Sequence, residues 1–239
     1  MKTYKADLHI HSCLSPCAEL EMSPRNIVSE AIKYGLDIIG ICDHNSCENV
    51  PYVERSAQGK GLKVIGGMEI TSREEVHILA LFGTKEELFT MQKIIYENLS
   101  GENDENLFGD QVVVNELDEV VDFNKRLLIG ATGLSLEEIV NHIHKFNGVA
   151  IAAHVDRPSF SIFSQLGFIP EGLEVDALEV SNKNKIDSFK HLSLPLVSFS
   201  DAHMLQNIGR NYTNFSMKEV NLVEMKKSFL GEDGRKVFI

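Results

Sequence analysis

The sequence holds no run of about 18 uncharged apolar residues, the length a membrane-spanning helix needs. Its opening, MKTYKADLHIH, also lacks the apolar stretch of a secretion signal. These absences lead to the expectation of a cytoplasmic protein with no membrane partner. Paired cysteines are missing as well: Cys13, Cys17, Cys42 and Cys47 do not form the CxxC spacing of a zinc ribbon. In a reducing compartment Cys13, Cys42 and Cys47 are read as free thiols. Basic residues are scarce, 23 against 35 acidic ones, for a formal net charge of −12. Broad binding to a nucleic-acid backbone calls for a basic surface, so no extended nucleic-acid surface is expected. A nucleotide or short oligonucleotide held at a cation centre is not excluded by that balance. No internal repeat or low-complexity tract is present, and oligomeric state leaves no signature.

What is present suffices for a core. The chain is 43% apolar, enough to bury an interior without disulfides, and 239 residues suit one α/β barrel or two small domains. Short apolar runs rich in β-branched residues read as strands over 4–10, 36–42, 63–70, 77–82, 148–154, 177–181 and 194–200. Ser23 and Pro24 open a helix that Gly35 closes. Ser135 and Glu138 form a capping box for another, ending near Gly148. Strands alternating with helices imply parallel βαβ units and a barrel or open parallel sheet. Residues 97–122 break the rhythm: GENDENLFGD reads as a loop, and QVVVNELDEVVDF as a hairpin turning between Glu116 and Asp118. This is taken as an excursion, a candidate lid, from a single domain spanning 1–239.

The histidines are the most informative residues. Six of the nine (His9, His11, His44, His77, His154 and His203) fall at or just past the end of a predicted strand. Asp7, Asp43, Glu69 and Asp201 accompany them. His9 and His11, two apart in a strand, share one face. In a parallel barrel the loops at the strand carboxyl ends meet at one mouth. Imidazoles and carboxylates gathered there suit zinc, manganese or iron. A lone histidine more often has a structural or surface role, and His142, His144 and His191, on helices or in a connecting loop, fit that description. Six strand-end histidines with repeated acidic neighbours do not.

Four segments carry a family resemblance. ADLHIHSCLSPC, ICDHN, AAHVDRPSF and SDAH resemble, in order, the four motifs of the PHP (polymerase and histidinol phosphatase) superfamily. The first is similar to that of stand-alone members with the DLHxHSCLSPC pattern. The resemblance covers nearly the whole chain. It implies a distorted, TIM-like (β/α)7 barrel with two or three divalent metal ions, zinc, manganese or iron, at the strand carboxyl ends. By that resemblance His9, His11, Glu69 and Asp201 hold a first metal. Glu69, His77 and His154 hold a second, so that Glu69 bridges. His44 and His203 hold a third, with Cys17 standing where many relatives carry histidine or aspartate. A thiolate is a good zinc ligand; the alternative is that Cys17 is only a small residue and the third site is weak.

The implied chemistry is hydrolysis of a phosphomonoester or phosphodiester of a small metabolite, a nucleotide or an oligonucleotide end, with histidinol phosphate a named possibility. Water that loses a proton between metals bridged by Glu69 attacks phosphorus, with Asp201 completing the catalytic set. Arg157, three residues past His154, is placed to clamp a phosphate with its planar fork; its bland alternative is a structural salt bridge. Arg210 is a second candidate for substrate binding. Asp7 and Asp43 either orient imidazoles or hydrogen-bond buried backbone. The competing class is a noncatalytic metal-binding PHP module with a structural or regulatory role. Degenerate modules show gaps, whereas here Cys17 alone departs from the ligand pattern. A metal-dependent amidohydrolase also uses a histidine-rich barrel, but the chain offers no carboxylated lysine and follows the PHP motif order. Substrate identity lies in loops that the sequence does not resolve.

Overall fold

The apolar runs assemble into one nine-stranded sheet in the computed structural model, which describes residues 1–239. The first half runs β1 (Lys2–Ile10), α1 (Pro24–Lys33), β2 (Ile38–Ile41), α2 (Val50–Ala57), β3 (Lys63–Thr71), β4 (His77–Phe82) and α3 (Lys85–Asn98). There follow α4 (Glu105–Phe108), β5 (Val112–Val114), β6 (Val120–Phe123), α5 (Leu136–Lys145), β7 (Val149–Ala152) and α6 (Ile162–Leu166). The chain ends with β8 (Ala177–Glu179), β9 (Leu196–Val197), β10 (Thr213–Met217), α7 (Leu222–Leu230) and β11 (Lys236–Phe238).

Across the sheet the order is β11-β10-β1-β2-β3-β4-β7-β8-β9, and the end strands β11 and β9 approach one another. The sheet therefore curls almost into a barrel, the distorted TIM-like α/β fold that the motifs implied. Four strand pairs are parallel, β1–β2, β2–β3, β7–β8 and β8–β9. Four are antiparallel, β3–β4, β4–β7, β1–β10 and β10–β11. The expectation of parallel units is thus only partly met, and connection length is the reason. Five residues join β3 to β4, whereas a parallel crossover takes about a dozen or more.

One face of the sheet packs Leu8, Ile38, Leu79, Ile151 and Phe199 with Met225 and Phe229 of α7. The other packs Ile39, Ile41 and Ile78 against Ile27, Val53, Met91 and Ile139 from the flanking helices. Each fully buried aliphatic side chain contributes about 1.5–3 kcal/mol, so both layers clamp the strands whose ends carry the site. At Gly40 an added Cβ would overlap the Leu8 carbonyl oxygen, so only glycine lets β1 and β2 lie this close. The predicted helix ends hold. Pro24 begins α1, Gly35 follows it at φ +66, and both bonds of the Ser135–Glu138 capping box form.

The β5–β6 hairpin lies apart from the main sheet and turns between Asn115 and Glu119. It is fastened down on one side. Val112 N donates to the Cys13 carbonyl, and the Asn49 side chain pairs with Val112 O and Val114 N. β5 is buried and β6 exposed. No helix is long and apolar enough to cross a membrane.

Candidate metal centre

The strand ends deliver the side chains to one rim. β1 carries His9 near its end and His11 just beyond. Asp43 and His44 follow β2, Glu69 lies in β3, His154 follows β7, and Asp201 and His203 follow β9. His77 is the first residue of β4, and because β4 runs antiparallel to β3 it lies opposite Thr71. The short hairpin is what brings an amino-terminal residue to a rim otherwise built from carboxyl ends.

Glu69 stands at the centre. Its Oε1 lies 2.9 Å from His77 Nδ1, 3.1 Å from His154 Nε2 and 3.4 Å from His9 Nε2. Its Oε2 lies 3.1 Å from His44 Nδ1 and 3.4 Å from His11 Nε2. Asp201 Oδ1 lies 3.1 Å from His11 Nε2 and 3.2 Å from His9 Nε2. Three groups of ligand atoms fall within 4.8 Å of one another: His9, His11, Glu69 and Asp201; His44, Glu69 and His77; and His11, His44 and His203. The first group is the set implied for the first metal. The second has His44 where His154 was implied, although His154 Nε2 is in contact with Glu69. The third contains two of its expected members plus His11.

The donor set fits divalent cations on a structural ground. Asp201 Oδ1 and His44 Nδ1 are buried, sit this close to opposite partners, and yet form no hydrogen bond. Buried polar atoms left without a hydrogen bond, each within a cluster of ligand-type atoms, suit ligands to cations. Electrostatics agree. Burial opposes charge on Glu69 and Asp201, but the facing imidazoles hold both carboxyls well below their usual range. Burial also works against protonation of His9, yet Glu179, Asp201 and Glu69 hold it well above its usual value. Against the same burial, Asp201 and Glu69 carry His11 up to about 9. The centre draws positive charge into a small buried volume, whether as protons or as metal. Burial, joined by repulsion from His11, takes His44 well below its usual value and His203 down to about 4, leaving both neutral as ligands must be.

A second ring of contacts orients these imidazoles. His11 Nδ1 lies 2.9 Å from Ser15 Oγ, which donates to Asp43 Oδ1 at 2.7 Å. That chain leaves His11 Nε2 free to face the centre. His9 Nδ1 bonds both oxygens of Glu179, at 3.0 and 3.1 Å. Sequence reasoning missed Glu179; the available signal was an acid inside the apolar strand β8, because a buried charge needs a partner. Asp7 has the backbone role, accepting from Ser200 N and Gly209 N, and burial pushes its carboxyl up to about 6. Backbone strain also gathers here: His154, Phe160 and Asp201 take φ of 29, 55 and 47°, where non-glycine residues are rare.

The remaining candidates divide. Arg157 reaches the centre, its Nη1 2.5 Å from Asp201 Oδ2, with its side chain 39% exposed. Arg210 does not: it is exposed, and no ion pair or side-chain hydrogen bond ties it to the cluster. Cys17 falls outside all three ligand groups and is exposed. Desolvation of its thiol, then the negative charge of Glu69 and Asp201, pushes it up to about 12. His142 and His144 lie on α5, as their spacing indicated, and His144 pairs with Asp176.

The chain is 25% identical to the Bacillus subtilis protein YqxK, over 99% of this chain and 64% of that protein. Endonuclease Q from Pyrococcus furiosus, a lesion-specific endonuclease, superposes with a TM-score of 0.77 at 22% identity, covering all of this chain and 58% of that one. A complex of endonuclease Q with a 27-mer duplex bearing an abasic lesion at its active site superposes at 0.74, with 23% identity, over 98% and 58% of the two chains. This chain therefore spans less than two thirds of the length of these relatives.

The DNA complex overturns the expectation that net charge rules out an extended nucleic-acid surface. Net charge sums the whole chain, whereas a phosphate backbone meets only the local field. Six of the acids here, Asp7, Asp43, Glu69, Glu179, Asp201 and Glu224, are buried, against one buried base, Arg235. The first five surround or underlie the centre, where cations would offset them. The PHP domain family matches residues 7–158, more than half of the chain, reaching from the first motif into the third. The chain belongs to the PHP domain family.

Proposed function

We propose that the chain is a metal-dependent phosphoesterase that cleaves a phosphoester of a nucleotide or of a polynucleotide. The observation that carries this reading is Glu69, one buried carboxylate with five imidazoles around its two oxygens. A bridging carboxylate of this kind suits two cations held close enough to share a phosphoryl group. The likeness to endonuclease Q supports the substrate class.

In this reading His9, His11, Glu69 and Asp201 hold one cation. Glu69, His77 and His154 hold a second, and His44, His203 and His11 frame a third. The mixed imidazole and carboxylate set suits zinc, manganese or iron. When bound, such ions polarise the phosphoryl oxygens and lower the pKa of water to near neutrality. The protein supplies the rest. Glu179 and the Ser15–Asp43 pair hold His9 and His11 in the tautomer that presents Nε2 inward. Arg157, half-exposed beside Asp201, presents its remaining N–H groups to a phosphate.

Elemental analysis of the purified protein tests this, joined to a hydrolysis screen over mononucleotides, oligonucleotides, sugar phosphates and histidinol phosphate. The expected result is about two or three metal equivalents and turnover concentrated on the nucleotide or polynucleotide esters. Protein that neither carries nor takes up metal, or that hydrolyses no ester, contradicts it.

A further inference from the structure

The loop that follows β7 carries three different chemistries within seven residues. His154 faces Glu69, Arg157 faces Asp201, and Phe160 is an exposed aromatic. Phe160 is held in the left-handed region at φ 55, where a bulky side chain is a rare outlier. Its surroundings enforce this. The carbonyl of Phe160 accepts from His77 N at 2.9 Å, and Ser161 Oγ donates to the Arg157 carbonyl at 2.8 Å. Ser161 also caps α6, and Ile162 is fully buried behind it. The loop is therefore fastened on both sides of an aromatic ring that remains 41% exposed.

The ring lies flat on His77, with centroids 4.7 Å apart and planes 18° from parallel. One face is thus covered by an imidazole of the centre. The residue nonetheless stays exposed, on the same loop as Arg157, which reaches Asp201 at the centre. Burial does not require that arrangement, because a core residue would turn its ring inward. Strain that surroundings impose at a site is a recognised mark of function.

We infer that Phe160 is the stacking platform for a nucleobase whose phosphate is held at Arg157 and the metal centre. The inference rests on the phosphoesterase reading and narrows it: the substrate carries a planar base close to the phosphate, rather than an aliphatic group alone. Base–aromatic stacking tolerates any base, so the platform selects nucleotides as a class without reading sequence. Phe160 would not touch the reacting atoms; it sets specificity.

The test is equilibrium binding to manganese-loaded protein of two hydrolysis-resistant ligands, the phosphonate analogue of thymidine 5′-monophosphate and methylphosphonate. The parent is expected to favour the nucleoside ligand by about five- to hundredfold, the worth of one stacked base. Phe160→Leu, which keeps an apolar cover over His77 but offers no ring, should abolish the preference without altering methylphosphonate binding or metal content. Phe160→Gly relieves the left-handed strain while deleting the ring and should do the same. Phe160→Tyr should keep the preference. A parent with no preference or no binding overturns the inference. So does a preference that survives both ring deletions, or an equal weakening of both ligands, which would make Phe160 only a shield for the metals. Hydrolysis of bis-p-nitrophenyl phosphate by the parent is measured separately. Its absence beside the expected binding pattern would refute the phosphoesterase reading and leave the platform standing.

Discussion

Glu179 grips His9: both carboxylate oxygens lie within 3.1 Å of His9 Nδ1, and neither side chain reaches solvent. The same carboxylate accepts from His154 N, so one acid ties together two histidines that both approach Glu69 Oε1. A ligand imidazole held this way presents its other nitrogen in a single orientation and with raised basicity. Loss of such a partner costs about ten- to hundredfold in metal affinity. Glu179→Gln keeps the shape and should sit near the lower figure, with Glu179→Ala near the upper. Competition against a fluorescent chelator measures it, and unchanged affinity in both variants would reduce Glu179 to a backbone clamp.

Arg157→Ala should raise KM for phosphorylated substrates while leaving metal content intact. A hydrogen bond to a charged phosphate contributes about 1.5–3 kcal/mol, or roughly ten- to hundredfold. Steady-state kinetics beside elemental analysis separates the two effects. A variant whose metal content falls with its activity would assign Arg157 to holding Asp201 instead.

Removal of metal should make stability depend on pH in one direction. In the metal-free fold Asp201 and Glu69 raise His11 to about 9 against burial, from an ordinary value of 6.5. A folded pKa above the unfolded one contributes stability that is fully present below 6.5 and lost as pH rises through 9. His9 shifts in the same direction. Metal-free protein should therefore show a falling Tm across that window, and metal-loaded protein a flat one, since the cation replaces the proton. Equal slopes with and without metal would contradict the placement of cations at these imidazoles.

The third ligand group is tested by the contrast between Cys17 and His203. His203 Nδ1 is 3.5 Å from Asp201 Oδ1 and its ring stacks on His11 at 4.1 Å, whereas Cys17 lies outside the group. His203→Ala should lose about one metal equivalent and Cys17→Ser none. The reverse result in elemental analysis would restore the thiol as the ligand.

Much of the centre was legible because strand ends announce themselves: a β-branched run followed by His beside Asp marks a rim position without any knowledge of the fold. Glu69 and His77 are not such positions, since one lies in β3 and the other begins β4, and their pairing was implied by the family resemblance instead. The antiparallel entry of β4 was not drawn from the pattern, although five residues between Thr71 and His77 leave no room for a crossover. Glu179 stayed hidden because its strand reads as an ordinary apolar segment, and its partner is 170 residues away in sequence. Phe160 was invisible for another reason, since its backbone twist is imposed by His77 and Ser161 and has no local signature. The charge argument failed because composition cannot tell buried carboxylates from exposed ones.

Glu69 is the residue on which the account depends, since its two oxygens face five of the six imidazoles of the centre. The most direct measurement is hydrolysis of bis-p-nitrophenyl phosphate by Glu69→Gln and by the parent, under saturating manganese and with metal content determined on the same samples. The amide keeps the shape but removes the charge that two cations would share in the proposed reading. Turnover should fall by about a thousandfold or more, as loss of several kcal/mol of charge stabilisation requires, together with a loss of bound metal. A Glu69→Gln protein that holds its full metal content and turns over the ester at the parent rate would contradict the account.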